Sequence, residues 1–300
     1  TPYTLGFRKS LKITNGNQTS GAGAADFIRI NQIFEAQNIA NSGWNYTSSS
    51  SFITLSFWVK SSIAQNFYGY FYTYDGSNYQ YPFETGSLTA NTWTKITKTV
   101  PGNSNITIDN NNAQGVVFVI APFFGTNYTA SGVTLDAWKA WNSSERFPDQ
   151  TSTWYTTNDA TLEVTGVQLE VGPQATPFEH RSFGEELSLC QRYYYRWASG
   201  TQKYLTSGHY YSTGLFAATF SFPTTMRSTP TLDYLTGTDR YLIYTKGTTD
   251  GVNAISLVRA HENGGGFDIT DGAAGDLGAG GSLSTNNNDI HVSFTAELAP

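Results

Sequence analysis

The segment "NFYGYFYTYDGSNYQYPF", residues 66–83, carries aromatic side chains along both arms of a short turn. Tyr68, Tyr70, Tyr72 and Tyr74 fall at every second residue, with Phe67, Gly69, Phe71 and Thr73 between them. Successive side chains of an extended strand point to opposite faces, so the spacing separates a tyrosine face from a phenylalanine face. "DGSN" at 75–78 supplies turn chemistry, and the whole reads as a β-hairpin. Phe67 and Phe71 are the expected core face, because phenylalanine has no hydroxyl in need of a partner. The tyrosine row is the expected open face, with Tyr79 and Tyr81 expected to extend it across the hairpin.

Working outward, the same two-residue period recurs. "FITLSFWVKS" (52–61), "TWTKITKTV" (92–100) and "ATLEVTGVQLEV" (160–171) alternate, and "GVVFVIAPFF" (115–124) is a nearly continuous apolar run suited to a central strand. "PGNSN" (101–105) and "GTN" (125–127) supply turns. Many short strands with no crossover helices predict an all-β chain, most simply an antiparallel jelly-roll sandwich, and exclude a parallel α/β fold. Gly172, Pro173 and Pro177 then interrupt the pattern, and "GEELSLCQRYY" (184–194) is the best helix, with Glu185 and Glu186 in its first turn. Leu187, Cys190, Gln191 and Tyr194 follow helical spacing on it. Strands resume afterwards. The expected organisation is a jelly roll over 1–182, then a short helix and a smaller C-terminal β domain over 183–300. The Gly-rich stretch 263–283 is expected to be a long mobile surface loop.

Charged residues make up only 13% of the chain, against about a quarter in an ordinary soluble protein, while aromatics reach 15%. High aromatic content with little charge excludes disorder. Hydroxyl and amide side chains suit a surface outside the cytoplasm or within a large assembly. The net charge is −6 and no basic run exceeds Arg8-Lys9, so nucleic acid is not an expected partner. No apolar run has membrane-spanning length, and membrane insertion is not expected. "TPYTLGFRKS" has neither a signal-peptide core nor an initiator Met and reads as a processed or excised start. Cys190 is the single cysteine, so no intrachain disulfide can form.

Chemistry-bearing groups are sparse. His180, His209, His261 and His291 are scattered, and none has a second ligand at metal-binding spacing. A structural Ca²⁺ would need Asp26, Glu35, Asp136 and Asp159 to converge, and no motif places them together. "DITDGAAGD" (Asp268, Asp271, Asp276) is a loose likeness of a calcium loop and a better match to a plain turn. No nucleophile elbow or phosphate loop occurs, and no carboxylate pair stands in a recognisable glycosidase context. No cofactor and no catalytic residue is expected. The ligand candidates are instead aromatic: Tyr68, Tyr70, Tyr72, Tyr74, Tyr79 and Tyr81, with Trp44 in "NSGWNYTSSSS" and Trp138 and Trp141 in "DAWKAWNSSERF" as loop aromatics that either pack down or bind. Such faces stack on sugar rings, but they equally cover a sheet or form a subunit contact.

At "TGVQLEVGPQATPFEHRSFGEELSLCQRYY" (165–194) the sequence resembles tail-fibre and other virion proteins of tailed bacteriophages. In these a carbohydrate-binding-module-like jelly roll leads through such a junction into a C-terminal β tip domain. "LSFWVKS" (55–61), Trp93 with Lys95, and "FPTTMRSTPT" (222–231) are similar to further parts of them, whereas "YTLGFRKS" (3–10) departs from their usual entry segment. The resemblance implies a non-catalytic attachment protein of the virion tail, extracellular when acting, that contacts other tail proteins and host cell-surface polysaccharide. It also implies a homotrimer, for which Leu187, Cys190 and Tyr194 are candidate contacts, packing within their own subunit being the alternative. Two further readings stand beside it. One is a structural fibre or baseplate subunit whose tyrosine strip is a protein contact; the other is a depolymerising tailspike.

Overall fold

Alternating apolar residues pair into antiparallel strands along nearly the whole chain. The computed structural model describes residues 1–18, 20–270 and 275–298. The chain divides into two compact units, Thr1–Glu179 and a second beginning at His180.

The first unit opens with a 3-10 turn, Pro2–Leu5, followed by β1 (Leu11–Thr14), β2 (Phe27–Glu35), α1 (Ala36–Ala40), β3 (Phe52–Ser61) and β4 (Asn66–Thr73). It continues with β5 (Tyr79–Ser87), β6 (Thr94–Pro101), β7 (Gln114–Phe124), β8 (Lys139–Ala140), α2 (Thr153–Thr156) and β9 (Thr161–Val171). One sheet has the order β1-β9-β3-β6 and the other β2-β7-β4-β5-β8. Without the two-residue edge strand β8, this interleaving of chain order between two four-stranded sheets is the jelly roll. Leu55, Phe57 and Val59 of β3, with Leu162 and Val164 of β9, face Phe67, Phe71, Phe83, Phe118 and Ile120 of the opposing sheet. Phe118 is the hub: its ring centroid lies 5.6 Å from Phe71, 6.1 Å from Phe57 and 6.2 Å from Phe83.

The 66–83 hairpin forms as expected, and Phe67 and Phe71 are core residues. The expectation for Tyr79 and Tyr81 is overturned. Tyr70 pairs with Pro82, Phe71 with Tyr81, and Tyr72 with Gln80. In this register odd-numbered residues face odd-numbered ones. Tyr81 therefore shares the face of Phe71 and is a core residue, only 3% exposed, with half-buried Tyr79 on the same face. A one-residue change of register would have moved both to the other side.

The second unit contains α3 (Phe183–Gln191), β10 (Tyr194–Ser199), β11 (Tyr204–Ser212), β12 (Leu215–Ser221), β13 (Thr231–Tyr234), β14 (Tyr241–Thr245) and β15 (Thr248–Val252). It ends with β16 (Ser256–His261), β17 (Gly264–Ile269), β18 (Gly280–Thr285) and β19 (His291–Thr295). A three-stranded sheet, β10-β19-β13, and a seven-stranded sheet, β15-β14-β18-β11-β12-β17-β16, enclose Tyr210, Phe216, Phe267, Leu283 and Phe294. Ser182 caps α3 by accepting the Glu185 N–H, and the two glutamates of the first turn complement the helix dipole. The helix stops at Gln191, so Tyr194 does not continue its face. Tyr194 lies instead on β10, where its hydroxyl donates to Ser293 Oγ at 2.9 Å. The Gly-rich stretch is likewise not one loop: β17 and β18 occupy its two ends, while Asp271 of the calcium-like sequence lies outside the described residues.

Gly69 sits on the core face of β4, where an added Cβ would meet the Phe83 ring at 2.4 Å and the Val119 carbonyl at 2.5 Å. Because one of these neighbours is backbone, Gly69→Ala is expected to cost about 2 kcal/mol by overpacking. Urea unfolding reads this directly, and an unchanged midpoint would contradict the packing described.

Candidate functional site

The outward face of the β2-β7-β4-β5 sheet is where most of the sequence candidates meet. Tyr70 pairs with Val119 of β7, Tyr72 with Val117, and Val119 in turn with Asn31 of β2. Between Ile28 and Ile30 the register shifts, with Ala121 and Pro122 of β7 set against the single residue Arg29. Proline has no N–H to give a ladder and suits such a bulge. Arg29 and Asn31 thus stand beside the tyrosine row.

The row is not the open strip expected from its periodicity. The segment after β7 returns over it, held by hydrogen bonds from Asp136 N–H to Pro82 O (2.8 Å), Trp141 N–H to Asn78 O (2.9 Å) and Gln80 Nε2 to Glu145 O (2.6 Å). Phe147 is buried and stacks on Tyr68 with ring centroids 5.2 Å apart. Phe124 and Phe147 close over Tyr70, which is 2% exposed. A second aromatic cluster therefore lies outside the sandwich core. Sequence periodicity could not show it, because its cover comes from a segment some 60 residues away. The sequence signal for it is an aromatic and a cation five residues apart in one segment, Trp141 and Arg146.

Tyr72, Tyr74 and Trp141 remain half-exposed at the edge of this cover. Their rings touch in sequence, Trp141 to Tyr72 at 4.1 Å and Tyr72 to Tyr74 at 4.7 Å between centroids. The Tyr72 hydroxyl is hydrogen-bonded to the Asn78 side-chain amide. The three rings rim a cleft of about 70 Å³ whose other walls are Arg29, Asn31, Tyr70, Val117, Val119 and Arg146. Burial raises the Tyr70 pKa, and the Arg146 and Arg29 guanidinium groups pull against that rise. The hydroxyl stays neutral and able to donate. Arg146 lies over three rings, 4.7 Å from Tyr128, 5.1 Å from Phe124 and 5.3 Å from Trp141, and Arg29 lies 5.7 Å from the Phe27 ring. Nothing in the lining is a carboxylate.

Other candidates fall elsewhere. Trp44 is not a loop binder: it is 3% exposed, belongs to the sandwich core and donates its indole N–H to Ser51 O at 3.3 Å. Trp138 packs against Tyr81 and donates to Pro101 O. Asp26 accepts from the Tyr155 hydroxyl, Glu35 is buried beside Gln37, and Asp136 pairs with Lys98, so these carboxylates go separate ways. Among the described residues no three His, Cys, Asp or Glu side chains are grouped to hold a metal ion. Two larger grooves are chemically quieter. One, about 490 Å³, crosses the seven-stranded sheet, where Arg259 faces Asp268 at 4.0 Å; the other, about 530 Å³, holds the Lys139–Glu145 pair at 2.7 Å. Their cations have counter-charges, unlike those of the small cleft. Leu187 and Cys190 are exposed on α3, and no residue of that helix is buried.

No family model matches the chain, and no curated protein matches it. Among solved structures, the chain is similar to the cryo-EM structure of T=1 Penaeus vannamei nodavirus at 12% identity, over 95% of this chain and 94% of that one, with a TM-score of 0.20. At that score the likeness supports neither a shared fold nor a shared function. Among the described residues no helix is long and apolar enough to cross a membrane.

Burial and the nearby Asp136 carboxylate raise the Tyr81 pKa from 10.0 to about 12. In the unfolded chain the phenol ionises near 10, so its neutral form stabilises the fold fully below pH 10 and that contribution is lost as pH rises from 10 through 12. Tyrosinate absorbance should therefore lag in the native protein relative to the urea-unfolded chain, and the melting temperature should fall above pH 10. Coincident native and unfolded titration curves would contradict this burial.

Proposed function

We propose that this chain is a non-catalytic attachment protein whose first unit binds surface glycan at the cleft rimmed by Tyr72, Tyr74 and Trp141. The observation that carries the reading is that rim: contiguous, half-exposed rings held by backbone hydrogen bonds around a polar cleft. Flat aromatic surfaces pack against the C–H faces of sugars, while hydroxyl and amide groups beside them satisfy sugar hydroxyls. A lining without carboxylates speaks against hydrolysis at this place, since glycoside cleavage uses a carboxylate pair. Together with the sequence resemblance, this favours a component of a bacteriophage tail that meets host polysaccharide, with other tail proteins as its structural partners.

Tyr70 is a poor residue for testing this, because its removal would open the outer aromatic cluster. Trp141→Ala and Tyr74→Ala touch the rim. Each should weaken binding of the purified chain to host cells about tenfold or more, as expected for a lost stacking anchor of a few kcal/mol. Their melting temperatures should stay within a few degrees of the parent, by the usual behaviour of half-exposed positions. Undiminished cell staining by the double variant would overturn the assignment of this face.

Assembly into a homotrimer is the second part of the proposal. Phe183, Leu187 and Cys190 share one face of α3 at i, i+4, i+7 spacing, with Phe183 83% and Leu187 42% exposed. Several copies would convert weak saccharide contacts into avidity. Light scattering should give three times the 32.9 kDa chain mass, and Leu187→Glu should lower it. A parent protein that runs as a monomer at all concentrations refutes this part.

A further inference from the structure

The cleft holds two guanidinium groups and no counter-charge. Among the described residues neither Arg29 nor Arg146 makes an ion pair, in a chain whose net charge is −6. Arg146 gives its Nε–H to Ser143 O at 3.2 Å, Arg29 lies against Phe27, and both side chains hydrogen-bond the neutral Tyr70 hydroxyl, which brings no counter-charge. Both are fixed by aromatic rings, which position a guanidinium without cancelling its charge. Two acids near Tyr68, toward the covered end of the row, are already engaged. Glu84 accepts from Asn66 Nδ2 at 2.7 Å, and Asp149 accepts from Thr129 Oγ1 at 2.7 Å. Both raise the Tyr68 pKa rather than facing the rim.

We propose that the cleft selects an anionic saccharide, with the carboxylate of a uronic acid seated between Arg29 and Arg146 and the sugar ring resting on Trp141 and Tyr74. This rests on the glycan-binding reading and names the class of glycan. The size agrees: the cleft, about 70 Å³, has room for a carboxylate while the sugar ring rests on the rim. The chemistry agrees too. Guanidinium forks match the planar carboxylate, and Tyr70 and Asn31 offer neutral hydrogen-bond donors beside them. Prepositioned charges need no reordering when the ligand arrives, so the gain in affinity is not spent on fixing flexible side chains.

The test uses the full chain on an array of uronic-acid polysaccharides, each printed also as its carboxyl-reduced, neutral polymer, beside sulfated glycosaminoglycans. At least one uronate polymer should bind, with its reduced form about tenfold weaker or worse, the scale of one lost charge-assisted bond. Arg29→Gln should lose the same factor on the acidic polymer, and Arg29→Lys should recover only part of it. The melting temperature of Arg29→Gln checks folding, and the paired polymers test selectivity on the parent protein alone. Added salt should weaken the acidic arm selectively. Equal binding of acidic and reduced polymers overturns the anionic selection and leaves the glycan reading standing. Binding confined to the sulfated arm overturns the carboxylate assignment. Binding to none of the polymers overturns the uronate selection, while the glycan reading stands or falls on the host-cell staining.

Discussion

The pleat of β4 and the register of its hairpin are the constraint on which the rest of this molecule depends. The turn between Thr73 and Tyr79 pairs Tyr72 with Gln80 and Phe71 with Tyr81. That single choice sends the phenylalanines inward to Phe118 and the tyrosines outward to Val117 and Val119 of the neighbouring strand. On β4 the hydroxyl-free rings enter the dry interior and the phenols take the outer face, while across the hairpin Tyr81 joins the core. The jelly roll, the outer cluster and the cleft all inherit this division.

The outer face would be a plain aromatic sheet but for the segment that follows β7. Backbone hydrogen bonds dock it along β5 and the turn, and Phe147 closes over Tyr68 and Tyr70. This covers Tyr68 and Tyr70 with rings and leaves Tyr72 and Tyr74 half-exposed at the edge. Arg146 joins the two halves. Its guanidinium spans Phe124 and Tyr128 on the covered side and Trp141 on the rim. A cation held by rings rather than by a carboxylate is rigid and still charged. That combination separates this small cleft from the two larger grooves, whose cations are paired.

Much of the architecture could be read directly from residue order, and the failures have separate causes. Two-residue periods identified β3, β4, β6 and β9, because a half-buried strand requires that alternation. Trp44, in a loop among Ser, Asn and Gly, is a ligand candidate by sequence, yet its ring turns inward and fills the core. The glycines at 264–266 read as a mobile loop, whereas they belong to β17. There the backbones approach so closely that a Cβ on Gly264 would lie 2.3 Å from the Phe220 carbonyl. Helical spacing ran on to Tyr194, but the helix ends at Gln191 and Tyr194 joins β10, where strand pairing overrides local pattern.

By itself the sequence determined the all-β class, the alternation of β3, β4, β6 and β9, and the inward face of β4. These follow from local sterics and from the partition of apolar side chains, which act over a few residues. Only the tertiary structure decided which tyrosines stay exposed, which tryptophan reaches them and which arginines meet there. Arg29, Tyr70 and Arg146 are far apart along the chain and are brought together by sheet register and by one returning segment. Their proximity depends on long-range pairing, which no local period encodes.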